Sequence, residues 1–202
     1  MEAHEIIYVA KQVIQQESEA VASIASQIDD NMVQTARALL ACKGHVLVAG
    51  SGTSHPVGAR LAHLLSCCGT PALFIHPGDS QHGLSGAVTG TDVLICISKG
   101  GETVEVNHLA RIAKDRGAVL IALTEKPGST LGKISDIVLK IVPPDNIDPF
   151  GMIATGSSLV NSAFCDALCV LMLQLRGYSK EQFGKTHPGG AVGIQIEKAK
   201  LS

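Results

Sequence analysis

Two short segments of this chain combine small backbone, hydroxyl side chains and charge in a way that could hold an anion. The first is Gly50-Ser51-Gly52-Thr53-Ser54 and the second is Ser98-Lys99-Gly100-Gly101-Glu102-Thr103. Each follows a short apolar, β-branched run and leads into a helical pattern, so each reads as a strand-to-helix turn. In the second, the hydroxyls of Ser98 and Thr103, the freely approached N–H groups at Gly100 and Gly101 and a helix N-terminus together suit a phosphate monoester. Lys99 adds a cation. The first segment does not complete a dinucleotide fingerprint, because the third glycine of GxGxxG would fall at His55. The second strand also ends in His76-Pro77-Gly78, with no acid for a ribose hydroxyl. Neither segment is a Walker loop, since no Gly-Lys-Ser/Thr follows. The ligand implied is a small phosphorylated molecule without a nucleoside.

The scaffold that holds these loops is read from hydrophobic period. Apolar runs at 45–49, 71–76, 92–98, 118–124 and 136–142 read as strands, and they alternate with helical stretches at 54–68, 80–86, 103–116 and 129–134. Runs apolar on both faces and joined by helices predict a parallel sheet covered on both sides. Two helices, 5–29 and about 30–42, precede it, and Asp29-Asp30 and Lys43-Gly44 read as the second helix's cap signals. After Pro143-Pro144-Asp145-Asn146 a long helix begins near 155. The fold expected is α/β: a flavodoxin-like three-layer α/β/α sandwich with a five-stranded parallel sheet of order 2-1-3-4-5. In that order strands one and three are neighbours at the switch point, so the two loops meet where ligands bind.

Composition narrows the classes. The 202 residues are 46% hydrophobic and 17% charged, which fits one ordered domain spanning 1–202. A net charge of −2, 3% aromatics and no Trp argue against a nucleic-acid partner. The apolar stretch 155–176 carries Asn161, Asp166 and Gln174, so it reads as a core helix and no membrane partner is expected. The acidic N-terminus has no basic signal-peptide region, and the six cysteines sit mostly in apolar runs without a CxxC, so a reduced, cytoplasmic protein is expected. The 5–29 helix reads equally as a cover for its own sheet and as a subunit interface.

With the loops in this order, the chain resembles the sugar isomerase (SIS) domain family. Two further blocks, Phe74-Ile75-His76-Pro77-Gly78-Asp79-Ser80-Gln81-His82-Gly83 and Thr186-His187-Pro188-Gly189-Gly190-Ala191-Val192-Gly193, are similar to the arabinose 5-phosphate isomerases, over residues from about 5 to 195. The resemblance implies N-terminal helices at 5–42, a sheet core at 45–142 and a helical part at 150–195, without the CBS domains that many members carry. It implies that Ser98 and Thr103 hold the phosphate with Ser54 nearby, that Glu102 is the acidic residue of the second loop, and that His187 assists ring opening. This histidine is expected to reach a neighbouring subunit's site, in a homo-oligomer read as a tetramer of two dimers. The family's lysine in the first loop falls on Thr53, and its glutamate after strand five falls on or near Asn146, with Asp145 and Asp148 beside it.

The activity implied is exchange between an aldose phosphate and a ketose phosphate, of the arabinose 5-phosphate/ribulose 5-phosphate type, through an enediolate and without a cofactor. Such chemistry needs a base, a carbonyl-polarising group and a ring-opening acid/base. The candidate catalytic residues are Glu102, His187 and Lys99. The candidate binding residues are Gly52, Thr53, Ser54, His76, His82, Ser98, Gly100, Gly101 and Thr103. His76 and His82, without carboxylates beside them, do not specify a metal. Two other readings stand beside this one: a 6-phospho-3-hexuloisomerase-like enzyme and a non-catalytic sugar-phosphate-binding regulator.

Overall fold

In the computed structural model, which describes residues 1–190 and 193–194, five parallel strands form one sheet in the order β2-β1-β3-β4-β5. The strands are β1 (Val46–Gly50), β2 (Ala72–Phe74), β3 (Val93–Ile97), β4 (Val119–Thr124) and β5 (Ile137–Lys140). Val48 of β1 sits beside Ile95 of β3, which sits beside Ile121 of β4. Every residue of β1 and β3 is buried, because helices cover both faces. The side chains divide by alternation. Val48, Ile95, Ile97 and Ile121 pack with α2 (Asp30–Ala41), α3 (Ser54–Cys67) and α7 (Gly156–Leu175). Leu47, Leu94, Cys96 and Leu120 pack with α5 (Val104–Asp115) and α6 (Thr130–Ile134) on the other face.

The expected architecture and strand order are present, and the differences lie at element ends. The second strand covers only three of the six residues expected. Pro77 opens a one-turn helix, α4 (Pro77–Ser80), since proline's fixed φ suits a first helical position. Gly83 then turns the chain at φ 106° into a 3-10 turn over Leu84–Ala87, so the helix read at 80–86 is two short pieces. The first helix, α1 (Ala3–Ser23), ends earlier than read and passes into a 3-10 turn. α2 opens as expected, with the Asp29 carboxylate accepting from the Asn31 N–H.

Two apolar helices differ in what they bury. α7 is long and apolar enough to cross a membrane, but Val160, Phe164, Leu168 and Met172 place its stripe in the core against α3 and α2. α1 does not cover its own sheet. Only Ala20 of it is buried, while Ile6, Ile7, Tyr8, Val13 and Ile14 stand exposed. Beyond α7 lies the short α8 (Lys180–Thr186).

Candidate functional site

The loop after β3 is built around two hydroxyls. Ser98 Oγ and Thr103 Oγ1 lie 2.9 Å apart, and the Gly101 N–H donates to Ser98 Oγ at 3.1 Å. Gly101 has φ 68°, and a Cβ there would fall 2.0 Å from Ser129 Oγ, so only glycine lets this loop lie against the β4–α6 turn. The Asn107 side chain in α5 donates to the Gly101 carbonyl at 3.2 Å and braces the same turn. Ser98 is buried, Thr103 is half-buried at the N-cap of α5, and Gly100 has open space around its Cα. One of the two hydroxyls donates to the other, which leaves one O–H, with the α5 N-terminus, for an anion.

The loop after β1 stands alongside. Gly52 turns at φ 58°, the Ser54 N–H bonds the Ser51 carbonyl, and Thr53 precedes α3 without capping it. Between this turn and the first turns of α7 lies a small cavity lined by Thr53, Ser54, Lys99, Ser157, Ser158 and Asn161. Thus Thr53, Ser54 and Lys99, three of the expected residues, meet at one cavity.

Lys99 is not a free cation. Its ammonium lies 3.2 Å from Asp148 Oδ2 and 3.7 Å from Glu125 Oε1. Asp148 is buried, and its other oxygen accepts from the Ser157 N–H at 3.0 Å. Burial works against its charge, but the Ser157 hydrogen bonds and the Lys99 ammonium outweigh it and hold its carboxyl below the usual range. For Glu125 burial prevails and pushes its pKa up, against the pull of Lys99.

Glu102, three residues from Lys99, goes the other way. Its carboxylate accepts from the Thr130 N–H at 2.8 Å, at the start of α6, and that bond lowers its pKa, with Lys133 and Lys126 assisting. It is exposed and takes the position of a helix-terminus anion.

The histidines are dispersed. His76 sits 5.3 Å from the His55 ring and 3.9 Å from Asp79. His55 in turn lies against Phe74 at 4.3 Å. His82 is exposed beyond α4, its N–H closing a turn on the Asp79 carbonyl. His187 ends α8, stacked on Phe183 at 3.7 Å, with Nδ1 2.9 Å from the Phe183 carbonyl. α7 carries the chain about 30 Å away from the cavity, and α8 returns at most about 10 Å. At its far end Tyr178 packs on Gly69, between α3 and β2. One chain therefore does not bring His187 to Ser98 and Lys99. Of the Thr186–Gly193 block, Ala191 and Val192 lie outside the described residues.

Sequence reading passed over Glu125, Ser157, Ser158 and Asn161. The Thr155-Gly156-Ser157-Ser158 run opening α7 was a readable signal, since small hydroxyl residues mark a helix start. Asn146 and Asp145 are exposed, and Asp148 is the buried one. Ile147 decides this by packing on Gly156, where a Cβ would fall 1.9 Å from Ile147 Cγ1. All six cysteines are free, and burial pushes Cys96 and Cys165 up to about 12, as small core hydrophobes. Among the described residues no three His, Cys, Asp or Glu side chains gather as a metal ion would need.

The profile of the SIS domain matches residues 39–180. The arabinose 5-phosphate isomerase KdsD of Yersinia pestis is 38% identical over 186 residues, 92% of this chain and 57% of that protein. Its counterpart in Pseudomonas aeruginosa is 36% identical over 192 residues, 95% of this chain and 59% of that protein. The chain thus spans less than two thirds of the length of these relatives. Among solved structures, a candidate sugar-phosphate isomerase of Listeria monocytogenes superposes with TM-score 0.90 at 36% identity, covering 94% of this chain and all (100%) of that one. The Escherichia coli CFT073 protein c3406, solved in complex with arabinose 5-phosphate, superposes with TM-score 0.89 at 29% identity, covering 93% and 100%.

Proposed function

The chain belongs to the SIS domain family, and on that footing we propose that it is a sugar-phosphate isomerase exchanging aldose and ketose phosphates, with arabinose 5-phosphate as the leading substrate. The observation that carries this reading is the Ser98–Thr103 hydroxyl pair at the N-terminus of α5, next in sequence to a lysine that lines a polar cavity. In this reading the phosphate takes the free O–H of the pair, the Gly100 N–H and the α5 N-terminus, the Gly101 N–H being committed to Ser98. The sugar extends toward Thr53, Ser54 and the start of α7. Isomerisation through an enediolate moves a proton between C1 and C2 with no net redox change, so it calls for no redox cofactor. Two carboxylates at this edge are candidates for the base. Glu102 holds the loop position, and takes the role only if a ligand draws it from Thr130. For Glu125 burial raises the pKa, the direction that suits a proton carrier.

The same reading assigns the protein to a homo-oligomer, a tetramer of two dimers. By helix length His187 stands far from its own chain's cavity, and the apolar face of α1 has no cover among the described residues. A second copy would supply both. The test is exchange by NMR on a panel of pentose and hexose phosphates, with calorimetry beside it. Turnover of arabinose 5-phosphate supports the isomerase, turnover of a hexulose phosphate supports the hexuloisomerase type, and tight binding without exchange supports a regulator. Mixing His187→Ala with Ser98→Ala protein should restore activity if sites are shared between chains. No recovery, or a fully active monomer in light scattering, refutes the shared site.

A further inference from the structure

Three loops, after β3, β4 and β5, each send one charged side chain to the same point. Lys99 stands between Asp148 at 3.2 Å and Glu125 at 3.7 Å. Its backbone is clamped too, since the Lys99 carbonyl accepts from the Glu125 N–H at 3.1 Å and from the Thr124 hydroxyl at 3.0 Å. The anchors differ in burial: the Asp148 side chain is 3% exposed and that of Glu125 is 20%, while Lys99 is 47% exposed and reaches the cavity. Asp148 is itself held from the far side by the Ser157 N–H, in the helix turn that forms the opposite wall. The position of the ammonium is thereby tied to the wall it faces.

The charge count constrains what this lysine can do. One ammonium between two ionised carboxylates leaves the group with a net negative charge, which would repel a phosphate dianion rather than attract it. Burial of Glu125 pushes its pKa up and lessens that excess, and even a neutral Glu125 would not leave the group positive. A lysine so neutralised suits a neutral oxygen on which charge develops during reaction, because a preorganised donor acts there without having to reorganise. We propose that Asp148 is a positioning residue that presents Lys99 to the carbonyl or hydroxyl end of the bound sugar phosphate, leaving the phosphate to the Ser98–Thr103 loop. This rests on the sugar-phosphate reading above.

The test compares wild type, Asp148→Asn, Lys99→Met and the double variant, each checked for an unaltered melting transition. Asp148→Asn keeps an oxygen for the Ser157 N–H, and Lys99→Met alters a half-exposed side chain, so it probes the same contact without disturbing α7. Calorimetry uses inorganic phosphate and D-arabinose 5-phosphate, and kinetics use the sugar phosphate. Either single change should lower kcat by about tenfold or more, and the double should be no worse than Lys99→Met alone. The affinity for inorganic phosphate should stay within about twofold. If the single losses multiply, or if phosphate affinity falls with Lys99→Met, the proposal is overturned while the sugar-phosphate reading stands. If wild type binds the sugar phosphate without turnover, the isomerase reading fails. The proposal is then read from binding, where Asp148→Asn must weaken arabinose 5-phosphate more than phosphate. A wild type that binds neither ligand removes both.

Discussion

At the amino-terminal ends of the strands, two aspartates commit their carboxylates to the backbone. Asp92 accepts from the His45 N–H at 2.7 Å and from the Thr89 N–H and hydroxyl, tying the start of β1 to the start of β3. Asp136 accepts from the Leu120 N–H at 2.8 Å and from Lys114. At the carboxyl-terminal ends, Asp148 and Glu125 instead hold a lysine that lines a cavity. Asp92 and Asp148 are alike in type and burial. What differs is the partner: Asp92 is held by two backbone N–H groups and the Thr89 hydroxyl, whereas Asp148 adds to its one N–H a lysine that reaches the cavity. A carboxylate bound to backbone stabilises the fold, whereas one bound to a lysine can set where a charge meets a ligand. Changes at the amino-terminal end should therefore register in melting, and changes at the carboxyl-terminal end in binding and turnover.

The phosphate loop should show the greatest loss of binding. Ser98→Ala with Thr103→Val should weaken sugar-phosphate binding by about 1.5–3 kcal/mol, as the O–H that the pair offers to a charged group is lost. The fold should persist, since the Gly101 N–H keeps the Ser98 carbonyl as acceptor and the Asn107 side chain still donates to the Gly101 carbonyl. Unchanged affinity in calorimetry would move the phosphate elsewhere.

The opposite end supplies the converse. Asp92→Ala strands two backbone N–H groups and should cost about 2–3 kcal/mol of stability, read in chemical denaturation, with ligand affinity intact. Burial alone would raise the Asp92 pKa, but the His45 and Thr89 hydrogen bonds bring it below the ordinary value. Its contribution is therefore fully present above the unfolded-state pKa of about 3.9 and is lost as pH falls through the lower folded value. Asp92→Asn should flatten that acid limb. A variant that lost ligand affinity and kept its stability would erase the distinction between the ends.

How much of this was legible beforehand depended on whether partners are close in sequence. β1, β3 and β4 were readable because burial on both faces leaves an uninterrupted apolar run. The edge strand was overread because apolar residues around Ala72–Phe74 say nothing of where pairing with β1 stops, and Pro77 stops it. The hydroxyl pair was readable since Ser98 and Thr103 belong to one loop. Lys99's partners were not. Glu125 follows β4 in a Glu-Lys-Pro-Gly stretch that looks like any turn, and only the strand order carries it to Lys99. Asp148 differs from Asp145 only because Ile147 docks on Gly156. Glu102's engagement with Thr130 is likewise a matter of two loops meeting.

That engagement yields a smaller effect. Glu102→Gln keeps an acceptor for the Thr130 N–H and removes an exposed charge, so phosphate affinity should stay within about twofold. A large fall in calorimetric affinity would mean that Glu102 leaves α6 for the ligand, and that both ends of this loop serve the site.

The smallest effect is expected from the ion pair that lies outside both ends. Arg60 of α3 and Asp166 of α7 make a two-point contact, Nε to Oδ1 at 3.1 Å and Nη2 to Oδ2 at 2.7 Å. The geometry is as good as that of Lys99 and Asp148, and Asp166 raises the arginine's pKa through that hydrogen bond and its charge. Yet the two side chains are 52% and 39% exposed, so water and salt compete with the contact. Helices α3 and α7 are already joined beneath it by Leu61, Leu65, Phe164 and Leu168. Arg60→Ala should therefore cost at most about 1 kcal/mol, diminish further at high salt, and leave ligand binding and turnover unchanged. A loss of activity without a loss of stability would show that α7 must be held in register by this pair for Ser157 to keep Asp148, and through it Lys99, in place.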